Sequence, residues 1–565
     1  MIHMNDTDQK TDGKTLDQGG VNISRHLSLK AQIHPYKRAV VYPVTRDADG
    51  RRAYAQMTFL QLEKQAEMLA HGFSKAGIVQ GVRTVLMVRP GPDFFAVTFA
   101  LFKTGAVPVI VDPGMGVQGM LQCLQESQPQ AFIGIHKAHF LRMLFAKYFK
   151  TVQTWVTVGR RWFWGGFTLK HLCIVPWKPF PAAQTQKDDM AAILFTTGST
   201  GPAKGTVYTH GNFDAQIRTI QEHFEITHDE IDLPTFPLFA LFDPALGMTA
   251  VIPEMDFTQP AKVNPDNIIE PILDHGVTNM FASPALLNRV GRFGKDNNIK
   301  LPSLKRVVSA GAPVHPSNIE RFSCMLNSDT EVHTPYGATE AVPVTSIGSN
   351  EILSETQNLS EKGFGNCIGR PLNGLQVKLI KVSGEPVDEW SEDLVVPQGD
   401  IGEITVKGDL VTREYYNHPD FTALAKIKDG DGFWHRMGDL GWMDKNNRIW
   451  FCGRKNHRVI TQKDTLYSIP CEAIFNNHPR VFRSALVGLG VPPDQKPVIV
   501  VETEENDSGK DQESLRQELL AMARSNVLTE SIDTILFKKQ LPVDIRHNSK
   551  IFREKLADWV STKKL

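Results

Sequence analysis

The chain has 565 residues, 41% hydrophobic and 22% charged, so it can bury a core of considerable size, and its length suggests three to four domains at about 150 residues each. Its 62 basic and 62 acidic residues cancel, which leaves no global pull toward nucleic acid or an acidic polymer. Six scattered cysteines form no C-x-x-C pair, which argues against a zinc site or disulfide framework and suits a reducing cytoplasm.

The polar N-terminus lacks the apolar segment of a secretory signal, and residues 1–22 are expected to be disordered. No apolar run is long enough to span a membrane. Thr84 to Val88 reads as a buried strand, Asp93 to Gly105 as an apolar helix, and Val107 to Val111 as the next strand. From His136 to Phe180, aromatic residues alternate with Arg142, Lys147, Lys150, Arg160 and Arg161. That stretch is either an interfacial patch for a bilayer or a protein partner, such as a multienzyme assembly, or a core helix with a basic outer face plus an aromatic wall of the acyl pocket.

Met190 to Thr197 reads as a strand that runs into a Gly-rich turn, followed by a helix from Asn212 to Phe224 with Asn212 as its N-cap. Strands are expected at Arg306 to Ser309, Leu375 to Lys381, Ile401 to Lys407 and Arg448 to Cys452. Gly453 then looks like a joint, and the expected division is an N-terminal domain over 23–453 and a smaller one over 454–565. The smaller unit should hold a helix from Pro470, strands at Ser484 to Leu489, Pro497 to Glu502 and Thr534 to Lys539, and a helix near Lys550. Alternation of strands and helices makes the whole α/β.

The chemical signal centres on Thr196, Thr197, Gly198, Ser199, Thr200, Gly201 and, after Pro202 and Ala203, Lys204. Glycines let the backbone approach a ligand closely, hydroxyls and free N–H groups donate to phosphate oxygens, and the lysine adds a positive charge. It is not a Walker loop. A polar turn would have a similar composition, but the ten-residue string resembles, position by position, the phosphate loop of the adenylate-forming superfamily of acyl-CoA synthetases, luciferase and peptide-synthetase adenylation domains. Further segments resemble the family in the same order: Ser309 to Pro313, Tyr336-Gly337-Ala338-Thr339-Glu340, Trp434 to Gly441, Gly453-Arg454, and His547 to Arg553.

The resemblance implies a large N-terminal domain of parallel-rich sheets with a barrel-like subdomain, plus a small mobile cap. It implies ATP as substrate and Mg²⁺ as its companion. Gly311 and Ala312 would flank the adenine, Tyr336 would stack on it beside Gly337, and Asp439 would accept from the ribose hydroxyls. Arg454 would contact ribose or phosphate, Thr339 the α-phosphate, and Glu340 the Mg²⁺. Lys550, the lysine before I-x-R, would bridge the carboxylate and the α-phosphate once the cap closes.

Two departures narrow the family. Ala240 stands where a histidine often follows Pro-Leu-Phe, in an apolar run read as an acyl-pocket strand. Beyond Gly453-Arg454 the glycine expected along a pantetheine channel is missing and Tyr467 is bulky, which makes CoA doubtful. The strings Trp450 to Val459, Leu466 to Asn476 and Pro234 to Thr249 resemble the olefin β-lactone synthetases. That implies a fatty, long-chain 2-alkyl-3-hydroxy acid, whose own hydroxyl displaces AMP and closes a β-lactone. His457 is a candidate base for that hydroxyl. A fatty acyl-CoA ligase, an acyl-AMP ligase serving a carrier protein, and a non-catalytic nucleotide-binding scaffold stay open beside it.

Overall fold

The computed structural model describes residues 20–175, 178–196, 203–504, 511–544 and 550–563. The expectations for residues 1–19, for Thr197, Gly198, Ser199, Thr200 and Gly201, and for His547 to Ser549 lie outside them.

Val- and Ile-rich strands, buried on both faces, build two seven-stranded sheets that are parallel except at one edge pair each. The first runs Glu331–His333, Arg306–Ser309, Asn279–Ala282, Ile231–Pro234, Thr249–Val251, Arg38–Arg46 and Arg52–Thr58. The second runs Phe167–Thr168, Thr154–Val158, Ala131–Ile135, Arg83–Met87, Val107–Val111, Met190–Thr196 and Lys204–Thr209. The helix Pro92–Thr104 packs between layers as a core helix, with every side chain from Phe94 to Thr104 buried. Proline starts it, and Gly105, at φ 70°, ends it in the left-handed conformation that returns its N–H to Leu101 and Phe102.

An eight-stranded sheet of antiparallel pairings takes the place of the expected barrel-like subdomain. These three sheets form the large N-terminal domain. The smaller C-terminal domain centres on the sheet Val481–Leu489, Lys496–Thr503 and Thr534–Phe537, covered by the helices Ser468–Asn476, Gln512–Arg524 and Arg553–Ser561. The fold is therefore α/β.

Several local expectations are corrected. Met190–Thr196 leads not to a helix but to an antiparallel partner, Lys204–Thr209, with Thr196 opposite Lys204. The following helix is His210–His223, and its N-cap is Thr209. Asn212 sits three residues in and completes the capping box, returning its side chain to the Thr209 N–H. The apolar run expected as a strand forms two helical turns instead, Pro237–Ala240 and Phe242–Leu246, because proline begins the first and Gly247 caps the second. Gly453 does not follow its strand but lies within it, Ile449–Arg454, where a Cβ would meet the Ser468 hydroxyl at 2.3 Å.

Candidate active site

Five strands from the two parallel sheets end at one cavity of about 1370 Å³. Val88, Asp112, Thr235, Ser283 and Ala310, each the first residue past the carboxyl end of its strand, all line it. Ligands of open parallel sheets bind at such ends, where backbone groups and loops converge.

Thr339 and Glu340 form the two-residue turn of a hairpin, between Ala338 and its partner Ala341. The tight turn pushes both into the cavity. Gly337 precedes it because a Cβ there would strike the Ala341 carbonyl at 2.5 Å. The turn is held from three sides. The Tyr208 hydroxyl donates to the Thr339 carbonyl at 2.5 Å, Thr412 donates its N–H to the Glu340 carbonyl at 2.9 Å, and the Tyr415 hydroxyl donates to Glu340 Oε1 at 2.5 Å.

Two lysines act on the Glu340 carboxylate. Lys204 Nζ lies 4.0 Å from the Phe421 ring centroid and 5.2 Å from that of Tyr415. Burial holds it below the usual lysine range, with Glu340 pulling the other way. Lys426 donates to the Thr412 carbonyl, and burial pushes its ammonium down to about 7 against the pull of Glu340. His435 lines the cavity beside them; burial, then the charge of Lys426, holds it well below the usual imidazole value.

Asp439 owes its place to register: on the strand Gly432–Met443 it stands opposite Arg454. The guanidinium approaches Asp439 Oδ1 to 3.0 Å, and the Tyr336 hydroxyl donates to Oδ2 at 2.5 Å. Asp439 is 2% exposed, and burial raises its pKa against the pull of Arg454, Tyr336 and Lys550. Although Arg454 is close, its alignment makes no hydrogen bond, so Oδ1 is a buried acceptor without a hydrogen-bonded donor among the described residues. Such an oxygen suits a ligand hydroxyl.

Lys550 lines the same cavity as Arg454, so the C-terminal domain reaches the site in this arrangement. The Asp544 N–H donates to the Lys550 carbonyl at 2.9 Å, and Ile551 bridges Val543. Arg553 grips Glu472 by two nitrogens, at 2.6 and 3.1 Å, tying the lysine segment to the helix Ser468–Asn476. Gly311 and Gly337 line the cavity; Ala312, Tyr336 and Asp439 are not among its lining residues, and the last two join each other behind Gly337 and Gly438. Thr196 ends its strand, with the side of the loop beyond it outside the described residues. His457 is turned away: its ring meets Glu554 at 3.2 Å, and it does not line the cavity.

The opposite end of the cavity is apolar. Phe239 stacks on Phe281 at 4.2 Å between ring centroids, with Phe236 and Phe242 beside it. Ala240 is buried in the core rather than on the wall. Behind Phe239 and Phe242 lies a second cavity of about 70 Å³, lined by Asp232, Asp243 and Asn279. Burial raises both carboxyls, that of Asp232 to about 7 and that of Asp243 well above its usual range with Asp232 adding to the push, so the pair retains a proton.

Sequence reasoning missed Tyr415, Lys426, Tyr208 and this acid pair. No local pattern marks them, because contacts between segments separated in the chain bring them to the site. His435 lay inside the W-H-R-M-G-D segment and could have been singled out there.

Residues 27–416 match the family model described as AMP-binding enzyme. The chain belongs to the AMP-binding enzyme family. Within this family it is 44% identical to the olefin β-lactone synthetase of Stenotrophomonas maltophilia (strain K279a) over 96% of this chain and 98% of that protein. It is 42% identical to the olefin β-lactone synthetase of Xanthomonas campestris pv. campestris over the same shares. Among solved structures, the amide bond synthetase McbA from Marinactinospora thermotolerans shares the fold, with a TM-score of 0.77 at 20% identity over 95% of this chain and 99% of that one. Membership in the AMP-binding family makes the chain an adenylate-forming enzyme that uses ATP. The described residues hold no cluster of three or more His, Cys, Asp or Glu side chains able to cage a metal, and Glu340 is one of the carboxylates that line the cavity. One carboxylate plus phosphate oxygens is the donor set Mg²⁺ ordinarily takes. No helix of the described residues is long and apolar enough to cross a membrane.

Proposed function

We propose that the chain activates a long-chain 2-alkyl-3-hydroxy acid and converts it to a β-lactone. The carboxylate oxygen attacks the α-phosphorus of ATP and pyrophosphate leaves. The 3-hydroxyl oxygen then attacks the acyl carbon, gives up its proton, and AMP leaves as the ring closes. The observation that carries this reading is one continuous cavity with the Lys550, Thr339 and Glu340 side chains at one end and the Phe236, Phe239 and Phe281 wall at the other. Near-full-length similarity to two olefin β-lactone synthetases favours the lactone over a thioester.

In this reading Lys550 draws carboxylate and α-phosphate together, offsetting the repulsion of two anions. Thr339 donates to the α-phosphate from a turn that Tyr208 and Thr412 hold rigid. Mg²⁺, carried in with ATP, would be held by Glu340 and would neutralise charge on the departing pyrophosphate. Thr196 to Gly201, with Lys204, cradle the phosphates. Gly311, Ala312, Tyr336 and Gly337 flank the adenine, and Asp439 with Arg454 holds the ribose. The internal nucleophile needs no CoA and gains a large effective molarity from its tether. We assign these tasks to an adenylation domain, 23–453, and a mobile cap, 454–565. Six cysteines, all free, fit a reducing cytoplasm.

The test is product identification. The protein is incubated with Mg-ATP and a 2-alkyl-3-hydroxy acid, with and without CoA, and the products are read by mass spectrometry and proton NMR. A β-lactone and AMP formed without CoA are expected. An acyl-CoA formed only with CoA, and no lactone, overturns the reading.

A further inference from the structure

Between Glu126 and Asp188 the chain contains no acidic residue, yet it contains nine lysines and arginines. In a chain of zero net charge this is a strong local imbalance. The structure turns it outward at one edge of the second parallel sheet. On the helix His136–Leu144, the side chains of His136, Phe140, Met143 and Leu144 follow helical spacing and share one face. That face is bare: Leu144 is 64% exposed and Phe140 50%. Beside it, the loop after the strand Thr154–Val158 presents Trp162 and Phe163, the latter 73% exposed.

These rings form one fixed patch. Trp162 stacks on His136 at 5.3 Å between centroids, and buried Trp164 stacks on buried His139 at 5.4 Å, anchoring the loop from below. Trp164 donates to Thr157 at 3.0 Å and touches both Trp162 and Phe163. Lys137, Lys147, Lys150, Arg160, Arg161 and Lys170, on the same acid-free stretch of chain as the patch, are all exposed. Exposed apolar groups at this density in a soluble surface mark an interaction site.

We propose that this face docks on an anionic lipid bilayer. Aromatic and aliphatic tips accompanied by lysine and arginine match the boundary between acyl chains and anionic headgroups. Leu144 and Met143 have no ring to stack on a nucleobase, which disfavours a nucleic acid. The patch also adjoins the substrate cavity: Ile135, the residue that opens the helix, lines that cavity together with Met87 and Met120. A greasy acid could pass from the bilayer to the site with little exposure to water. This purpose rests on the proposed long-chain substrate, whereas the docking geometry does not.

The test is co-sedimentation with phosphatidylcholine vesicles, with and without phosphatidylglycerol, alongside lactone formation from a soluble short-chain 3-hydroxy acid. Wild type should bind only the anionic vesicles and be released by high salt. The double variants Trp162→Ser/Phe163→Ser and Arg160→Glu/Arg161→Glu should each partition about tenfold less, with short-chain turnover and unfolding midpoint unchanged. Binding without the lactone would support the docking face and count against the proposed reaction alone. Wild type that ignores anionic vesicles, variants that bind as well as wild type, or a wild-type dimer that only the aromatic variant dissolves would overturn the proposal.

Discussion

The two ends of the main cavity are built on opposite principles. At the end proposed for the nucleotide, a few charged side chains are each held by named partners: Glu340 by Tyr415, Asp439 by Tyr336 and Arg454, and the Lys550 segment by the Arg553–Glu472 fork. At the acyl end, Phe236, Phe239, Phe242 and Phe281 hold one another by stacking alone. Charge development demands a particular group at a particular point, whereas an alkyl chain asks only for apolar volume. The first end should thus fail sharply on substitution, and the second should change its preference gradually.

The sharpest break should come at Lys550. Lys550→Ala is expected to lower ATP–pyrophosphate exchange about 10²–10³-fold, the usual cost of losing one charge-stabilising donor, with the thermal unfolding midpoint unchanged. Undiminished exchange would remove this residue from the mechanism. Next, Asp439→Asn should weaken ATP binding by about 1.5–3 kcal/mol, the worth of a hydrogen bond to a charged group, while the KM for the acid stays constant. An equal rise in both constants would mean that the two ends are not separable.

At the apolar end, Phe239→Ala should shift preference toward bulkier chains by about 1–3 kcal/mol per methylene accommodated, with nucleotide affinity untouched. Competition between acids of different length measures it directly. The smallest effect, and the one that asks whether the acid pair behind the wall belongs to either end, is Asp243→Asn. The folded state retains a proton on the pair that the unfolded chain releases above the ordinary carboxylate value of 3.8. The unfolded state therefore binds fewer protons, and wild-type stability falls as pH rises through that window, by at most about 1.4 kcal/mol per pH unit for one proton. Denaturant midpoints from pH 4 to 7 should show a flatter profile for the variant, with turnover unaltered.

The same contrast explains what could be read without coordinates. Glu340, Asp439 and Lys550 could be put forward from the sequence because each sits in a short string that resembles a family motif. The buried strands Arg83–Met87 and Val107–Val111 were legible because parallel strands covered on both faces are continuously apolar. The run from Phe236 to Leu246 was not, since an apolar stretch without periodicity reads equally as strand or helix, and Pro237 and Gly247 decided it. Thr209 displaced Asn212 as helix cap because the strand Lys204–Thr209 runs directly into the helix, where the Thr209 hydroxyl accepts from the Asn212 N–H. Tyr415 and Tyr208 were invisible for another reason: each meets Glu340 or its neighbour through a side-chain hydrogen bond across a long stretch of chain, and Lys426 comes from a hairpin that no motif marks.

The acid-free span has a consequence for the molecule as a whole. All 62 acids lie outside it, so in this neutral protein the aromatic edge carries positive charge with no acid from its own stretch of chain to offset it, as one pole of an electric dipole would. A uniform field would turn such a body rather than pull it, and near a negatively charged plane the turning precedes contact. The protein should therefore arrive already facing the surface, and salt should slow its productive encounters even though it bears no net charge to screen.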